Sequence, residues 1–418
     1  MAVIRENNRL IFRGQFQTSD LHRPLAGIYQ AINGAGYQDI ILDFSLCAAA
    51  YAGSMLALCA QVMKLRNDCV DIEFDLILPN DNKLSRLFIN TNWAHHLNPK
   101  SFPASTFRGY THIPATIFTN SSDQSNAVNQ IVNAILGAIH GIERNDFAAL
   151  EWSINEVTDN VLVHSQSSIG GLVQVSTFQS KRKRVEYIVA DAGVGIPETL
   201  RAVYPEVTSD AELLDRAIRE GVTRDKNIGQ GNGLFGSYQI CSHSRGSFQL
   251  ESGFSKLTYN ESNGLHISTE RVPYTGTLVI AQIDFSVPHL LQEALKIGGK
   301  IYSPVDSIEI SYEQDREENL SFIMRSESTS FGSRNAGKPI RNKLENLINM
   351  CPGRRIQIDF SDIGIVSSSF ADEVFGKLFV ELGPVTFMQR IEFRNVFPTV
   401  RQLIDKAISQ RISVTGSQ

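Results

Sequence analysis

Glu156 and Asn160, one helical turn apart, are followed in order by Asp191, Gly193 and Gly195 and then by glycines at 229, 231 and 233; no other feature constrains the chain as much. Across residues 146–165, Phe147, Leu150, Ile154, Val157, Val161 and Leu162 recur at helical spacing and predict a helix with one apolar face. An (i, i+4) pair projects from one side of such a helix, so a carboxylate and a carboxamide converge on one point. Metal-dependent phosphoryl transfer uses such a pair. The carboxamide oxygen is a hard, neutral ligand for Mg2+, and the carboxylate can orient or deprotonate a nucleophile. The spacing alone is common and more often marks a solvated helix face, so the pair takes its meaning from the two glycine-containing motifs later in the chain.

Residues 187–190 read as a buried strand that delivers Asp191 at its end. An acceptor there suits an exocyclic amine such as that of adenine. Gly193 and Gly195 let the backbone bend or approach a flat ligand closely, although an ordinary tight turn accounts for the same residues. Gly229, Gly231 and Gly233 precede the apolar run 234–240. Spaced glycines opening a helix let successive N–H groups surround phosphate oxygens, and they also serve as a flexible hinge. No strand leads directly into them and no Gly-Lys-Ser/Thr comes after, which excludes a Rossmann fingerprint and a P-loop.

In this order and spacing the motifs resemble the nucleotide site of the GHKL superfamily, the Bergerat ATP-binding fold of histidine kinases, Hsp90-type chaperones, MutL, gyrase B and anti-sigma-factor kinases. Gly276 and Thr277, opening a late strand over 276–280, supply a fourth element, and the resemblance covers residues 122–287. It implies that Glu156 is a catalytic base, Asn160 the Mg2+ ligand and Asp191 the partner of the adenine amine, with Gly193 and Gly195 beside the ring. Gly229, Gly231 and Gly233 would close on the phosphates of ATP, and Thr277 would support the adenine contact. Residues 198–228 would be the ATP lid, with an amphipathic helix at 211–218. Arg224 and Lys226 are candidate phosphate contacts or part of a solvated loop.

The run from Glu156 to His164 is most similar to the anti-sigma serine kinases, in which a Glu, Thr, Asn and His stand at these offsets. A histidine kinase needs a phosphoacceptor histidine on a separate helical hairpin. His140 lies too close to the Asn160 helix for that and reads as a partly buried helix histidine. His164 reads as a cap near the helix end. Further on, a strand from Gln357 runs into a serine-rich turn and an apolar helix at 373–382. Serines 367–369 are first of all N-cap residues. The stretch also resembles the STAS domain of anti-sigma-factor antagonists, which places Ser368 at the phosphoacceptor position, Ser367 where an Asp is usual and Phe370 where a Gly is usual. The whole of 295–410 is similar to STAS-like domains fused to such ATPases. Residues 39–45 match 356–361, with Asp43 and Asp359 in register, and the next turn puts Ala52 at the acceptor position. A helix at 54–65 and a strand at 72–78 complete this degenerate copy. The nearly uncharged stretch 47–63 has the length of a short membrane span, but its alanines suit a closely packed core helix better.

A chain of 418 residues accommodates two or three domains. The expected fold class is α/β multidomain, a central Bergerat-fold α/β sandwich over 120–288 between STAS-like α/β domains at 1–110 and 295–410, with a flexible tail at 411–418. The net charge of −5 argues against a general nucleic-acid binder. The one basic cluster, at 181–184, reads as a hairpin tip, with docking to an acidic partner as the alternative. The five cysteines form no Cys-x-x-Cys pair, so a zinc site is not expected, and with no signal-peptide pattern a reduced, cytoplasmic setting is. Two functions are expected. In one, Mg2+ and ATP are bound and a serine of a STAS-type or other regulatory partner, or Ser368 of another copy, is phosphorylated. In the other, ATP hydrolysis drives a conformational switch without protein phosphorylation. Neither nucleic acid nor membrane is an expected partner, and pairing of two copies is compatible with both.

Overall fold

Strand Lys183–Asp191 is apolar from Val185 to Ala190 except at Glu186, the pattern of a strand covered on both faces. In the computed structural model, which describes residues 2–69, 71–106, 112–179, 182–219, 221–222, 232–286, 294–297, 300–301, 306–313 and 319–415, it is the middle strand of a five-stranded sheet. The order is His112–Phe118, Gly171–Gln179, Lys183–Asp191, Gly264–Asp284, Ser247–Asn260, and every neighbouring pair is antiparallel. The chain divides into two compact units, residues 1–128 with 152–302, and residues 129–151 with 303–418.

In the first unit, the period of two along the strands separates two environments. Tyr187 points to one face, where its hydroxyl meets Ser153 Oγ at 2.5 Å. Ile188 and Ala190 point to the other and join an apolar cluster with Leu278 and with Leu10, Phe12, Phe44 and Leu56 of the N-terminal part. That part forms a second sheet, ordered Ala2–Glu6, Arg9–Phe16, Asp39–Asp43, Glu73–Ile77, with Cys47–Ala50 pairing onto Arg9–Phe16. Helix Ala52–Asp68 packs against the first sheet, and a Cβ at Gly53 would lie 2.4 Å from Ile280 Cδ1. Every residue from Ala52 to Met63 is buried, which is why the stretch 47–63 carries no charge. No described helix is long and apolar enough to cross a membrane. The opposite face of the five-stranded sheet carries helix Arg144–His164 from Trp152 onward and helix Gly233–His243. A Cβ at Gly236 would stand 2.4 Å from the Trp152 indole, and Ser153 Oγ donates to Ser237 Oγ at 2.8 Å.

The second unit holds a three-stranded parallel sheet, ordered Asn319–Ile323, Arg355–Asp359, Ile391–Arg394. Helix Arg334–Met350 is capped by Ser333, whose Oγ accepts from Ala336 N, and Ser367 Oγ caps the next helix by accepting from Phe370 N at 3.0 Å. That helix reaches beyond the expected 382 in a second piece, because Gly383 adopts φ 74° ahead of Pro384 and breaks it. Asp43 and Asp359 sit alike, each at the end of the middle strand of a parallel triplet, and each Oδ1 accepts the backbone N–H two residues on, from Ser45 at 2.9 Å and Ser361 at 2.7 Å.

Three expectations are corrected. His140 is not in a helix: helix Ser121–Ala138 ends before it, and His140 lies in the following bend, half exposed, 2.8 Å from Glu345. The tail expected from 411 is helical to Thr415, because Arg411 Nε and Nη2 bond Asp372 at 2.8 and 2.9 Å and hold helix Pro398–Thr415 in place. Gly276 and Thr277 do not open a strand. They lie inside Gly264–Asp284, where the register against Ser247–Asn260 shifts between Tyr274 and Thr277.

Asn346, fully buried, finishes the end of helix Ser121–Ala138: its Nδ2 donates to the carbonyls of Leu136 and Ile139 at 2.8 and 2.7 Å, and its Oδ1 accepts from Gly141 N at 2.8 Å. Replacing it by an apolar residue of similar size strands three backbone groups away from water. Asn346→Leu is expected to lower stability by about 3 kcal/mol in a urea titration, and an unchanged midpoint would remove this clamp from the account.

Candidate functional site

Helix Arg144–His164 presents Glu156, Asn160 and His164 at successive turns, and all three line one open cavity in the first unit. Asp191, at the end of its strand, and Thr277 and Val279 from Gly264–Asp284 form the floor. The cavity holds about 150 Å3 of space for water-sized molecules and opens to solvent. Ile196, Leu200, Val222 and Leu234 add an apolar wall. Behind that wall, helices Gly195–Arg201 and Asp210–Ala217 pack a small core of Leu200, Val207, Leu213 and Ala217. Arg201 pairs with Asp210, and Asp210 Oδ2 accepts from Phe254 N at 2.8 Å, which ties these helices to the sheet.

Close backbone approaches shape the floor. A Cβ on Gly193 would lie 1.9 Å from the Ser165 carbonyl oxygen, and one on Gly276, at φ 97°, would lie 2.4 Å from the carbonyl of Asp191. Only glycine fits either position. Ser252 Oγ closes the turn, accepting from Ile196 N at 2.9 Å and donating to Gly276 O at 2.6 Å. Tyr274 donates to Asp191 O at 3.0 Å, and Gln61 from helix Ala52–Asp68 donates to Thr275 O at 2.6 Å. These residues escape sequence reasoning because each acts through a contact remote in the chain.

Asp191 is 1 % exposed. Burial pushes its carboxyl up to about 7, against the opposing hydrogen bonds from Gly193 and Thr277. Glu156 is also raised above its ordinary value, first by burial and then by the neighbouring Asp159. Gly233, the first residue of helix Gly233–His243, leaves the space in front of this pair clear: a Cβ there would be 2.7 Å from Glu156 Oε2 and 3.2 Å from Asn160 Nδ2. A carboxamide and a carboxylate facing an open volume are hard donors of the kind that Mg2+ takes, so the residues present fit that ion.

Glu156, Asn160, Asp191, Gly195, Gly233 and Thr277 therefore line the same cavity, while Gly193 lies beneath the floor as a spacer. Gly229 and Gly231, with Arg224 and Lys226, lie outside the described residues. Ser368 belongs to the second unit, exposed at the first position of its helix.

Above about pH 7 the folded chain must ionise a buried Asp191, whereas the unfolded chain does so near pH 4. The unfolded state thus binds fewer protons between these values, and this group weakens the fold as pH rises from about 4 to about 7. Asp191→Asn is expected to be the more stable protein at pH 8, by up to about 4 kcal/mol, with the difference vanishing below about pH 4. Urea titrations at both pH values decide it, and parallel pH profiles would refute it. Gly193→Ala is expected to lose about 3 kcal/mol or more, since its methyl meets backbone that has nowhere to go.

No curated protein matches the chain. Residues 336–401 match the STAS-like domain of unknown function (DUF4325), and they cover helix Arg334–Met350 from its third residue, the next two strands and the start of the last helix. The chain is thus a mixed α/β multidomain protein whose C-terminal part contains a STAS-like domain.

Proposed function

We propose that the first unit contains a Bergerat-type ATP site of the GHKL superfamily and that the chain is a regulatory protein, a Mg-ATP-dependent serine kinase or ATPase acting on STAS-type domains. One observation carries the reading: Glu156, Asn160, Asp191, Gly195, Gly233 and Thr277, drawn from separate segments, line a single cavity with an apolar wall. In this reading Asp191 and Thr277 receive the adenine amine at the floor, while Ile196, Leu200 and Leu234 exclude water from the ring. Asn160 would hold Mg2+, which when bound supplies charge neutralisation at the phosphate oxygens. Glu156, its carboxyl raised by burial and by Asp159, would take the proton from a hydroxyl or a water. In the same reading the lobe of Gly195–Arg201 and Asp210–Ala217 would serve as a lid over the nucleotide.

The STAS-like domain in the same chain supports a STAS-type target. The likeness of the Asp43 and Asp359 turns supports reading the N-terminal part as a second, degenerate STAS-like domain, with Ala52 where the other has Ser368. Ser368 is exposed and its side chain is not the helix cap, a role taken by Ser367 Oγ, which leaves its hydroxyl accessible to a kinase.

Incubation with Mg2+ and γ-labelled ATP, beside Glu156→Gln and Asn160→Ala, tests this. Label on a protein serine, reduced at least ~100-fold in Glu156→Gln, is expected for the kinase, and loss of label in Ser368→Ala would identify the acceptor. Release of label only as free phosphate, with the same dependence on Glu156, would make the chain an ATP-driven switch. A wild-type protein that neither binds nor consumes ATP would overturn the site itself.

A further inference from the structure

In the second unit, a bend and two helices bring a histidine and two glutamates to one point. His140 lies in the bend after helix Ser121–Ala138, Glu345 on helix Arg334–Met350 and Glu381 on helix Lys377–Arg390. One ligand atom from each lies within 4.8 Å of the others. His140 Nε2 is 2.8 Å from Glu345 Oε2 and 3.5 Å from Glu381 Oε1. These two separations bracket the ~3.3 Å edge of a tetrahedron with metal–ligand bonds of about 2.0–2.1 Å.

Glu345 is the informative member. It is 2 % exposed, and its Oε2 receives no hydrogen bond of acceptable geometry from any described residue, although His140 Nε2 is in contact with it. A buried carboxylate oxygen left in that state is costly unless a cation meets it. The other oxygens are already held: Arg341 Nη1 pairs with Glu345 Oε1 and, at 3.3 Å, with Glu381 Oε2. Arg341 Nε also faces Glu373 Oε1 at 3.5 Å, and Lys377 pairs with Glu373. A single guanidinium thus stands against the two carboxylates Glu345 and Glu381. Arg341 orients both carboxylates from behind, the part an outer-shell residue plays around a metal.

We propose that His140, Glu345 and Glu381 form a site for a divalent transition-metal ion of the zinc class, with a remaining position open to water. One imidazole nitrogen and two carboxylate oxygens suit zinc better than Mg2+, which favours an all-oxygen octahedron. The exposed flanks of His140 and Glu381 give the ion a way in. No cysteine takes part, so the absence of a Cys-x-x-Cys pair does not bear on it. Bound there, the ion would fasten the His140 bend to two helices of the second unit and stabilise that unit by linkage. The nucleotide reading is independent of this site.

The full chain, stripped with a chelator and dialysed, is titrated with zinc chloride by calorimetry and melted with and without the ion, beside His140→Ala and Glu381→Gln. Both variants change half-exposed side chains, and matching circular dichroism without metal checks that they fold. The expected result is one zinc site in the wild type, a rise in Tm with zinc, and at least ~10-fold weaker binding with loss of the Tm rise in each variant. No zinc binding by the wild type, binding of Mg2+ as tight as that of zinc, or variants that bind zinc like the wild type would each overturn the proposal.

Discussion

The cavity depends on three backbone segments meeting with no side chain between them. The end of helix Arg144–His164, the turn after strand Lys183–Asp191 and the irregular point of strand Gly264–Asp284 converge where Gly193 rests on the Ser165 carbonyl and Gly276 on that of Asp191. A methyl at either place would collide with peptide groups that belong to the sheet or to the helix end. The helix that carries Glu156 and Asn160 is thereby held at a fixed distance from the strand that carries Asp191. Val194 N donates to Ser165 O at 2.8 Å and locks the same junction with a hydrogen bond.

Helix Ala52–Asp68 works on the far side of that sheet. It reads like a membrane segment because it is buried all round, against the N-terminal strands on one side and the strands behind the cavity on the other. Among its polar residues, Gln61 donates to Thr275 O within the strand shift that also aims Tyr274 at Asp191 O. The N-terminal part is thus mechanically continuous with the floor of the cavity. Packed side chains and two hydrogen bonds join this helix to the residues that shape the Asp191 turn.

How much of this is legible in the sequence depends on how local each signal is. The Glu156 and Asn160 pair, the strand into Asp191 and the start of the helix at Gly233 are set by spacing and by glycine chemistry within a few residues, and the elements lie where those signals put them. Ser165, Ser252, Tyr274 and Gln61 carry no such mark, because each serves a partner far along the chain. His140 is misread for a related reason: the helical pattern runs on past Ala138, but Asn346, more than two hundred residues away, donates to the carbonyls where the helix stops. The Gly276 and Thr277 pair reads as a strand start because a bulge and a strand opening both place a glycine before β-branched residues.

The residues that shape the cavity are costly for the fold. Asp191 is buried with a carboxyl that resists ionisation, Glu156 is raised in the same direction, and two glycines occupy places where chain entropy is lost with no side chain to pack. A chain selected for stability alone would place Asn at 191 and keep the Gly193 hydrogen bond without the charge. Retaining a carboxyl there suits a floor that meets a hydrogen-bond donor from a ligand, since such a donor would replace the water that Asp191 gives up on burial and draw its proton affinity down. Binding and ionisation would then be coupled, and the ligand would return to the fold part of the stability that the empty cavity forgoes.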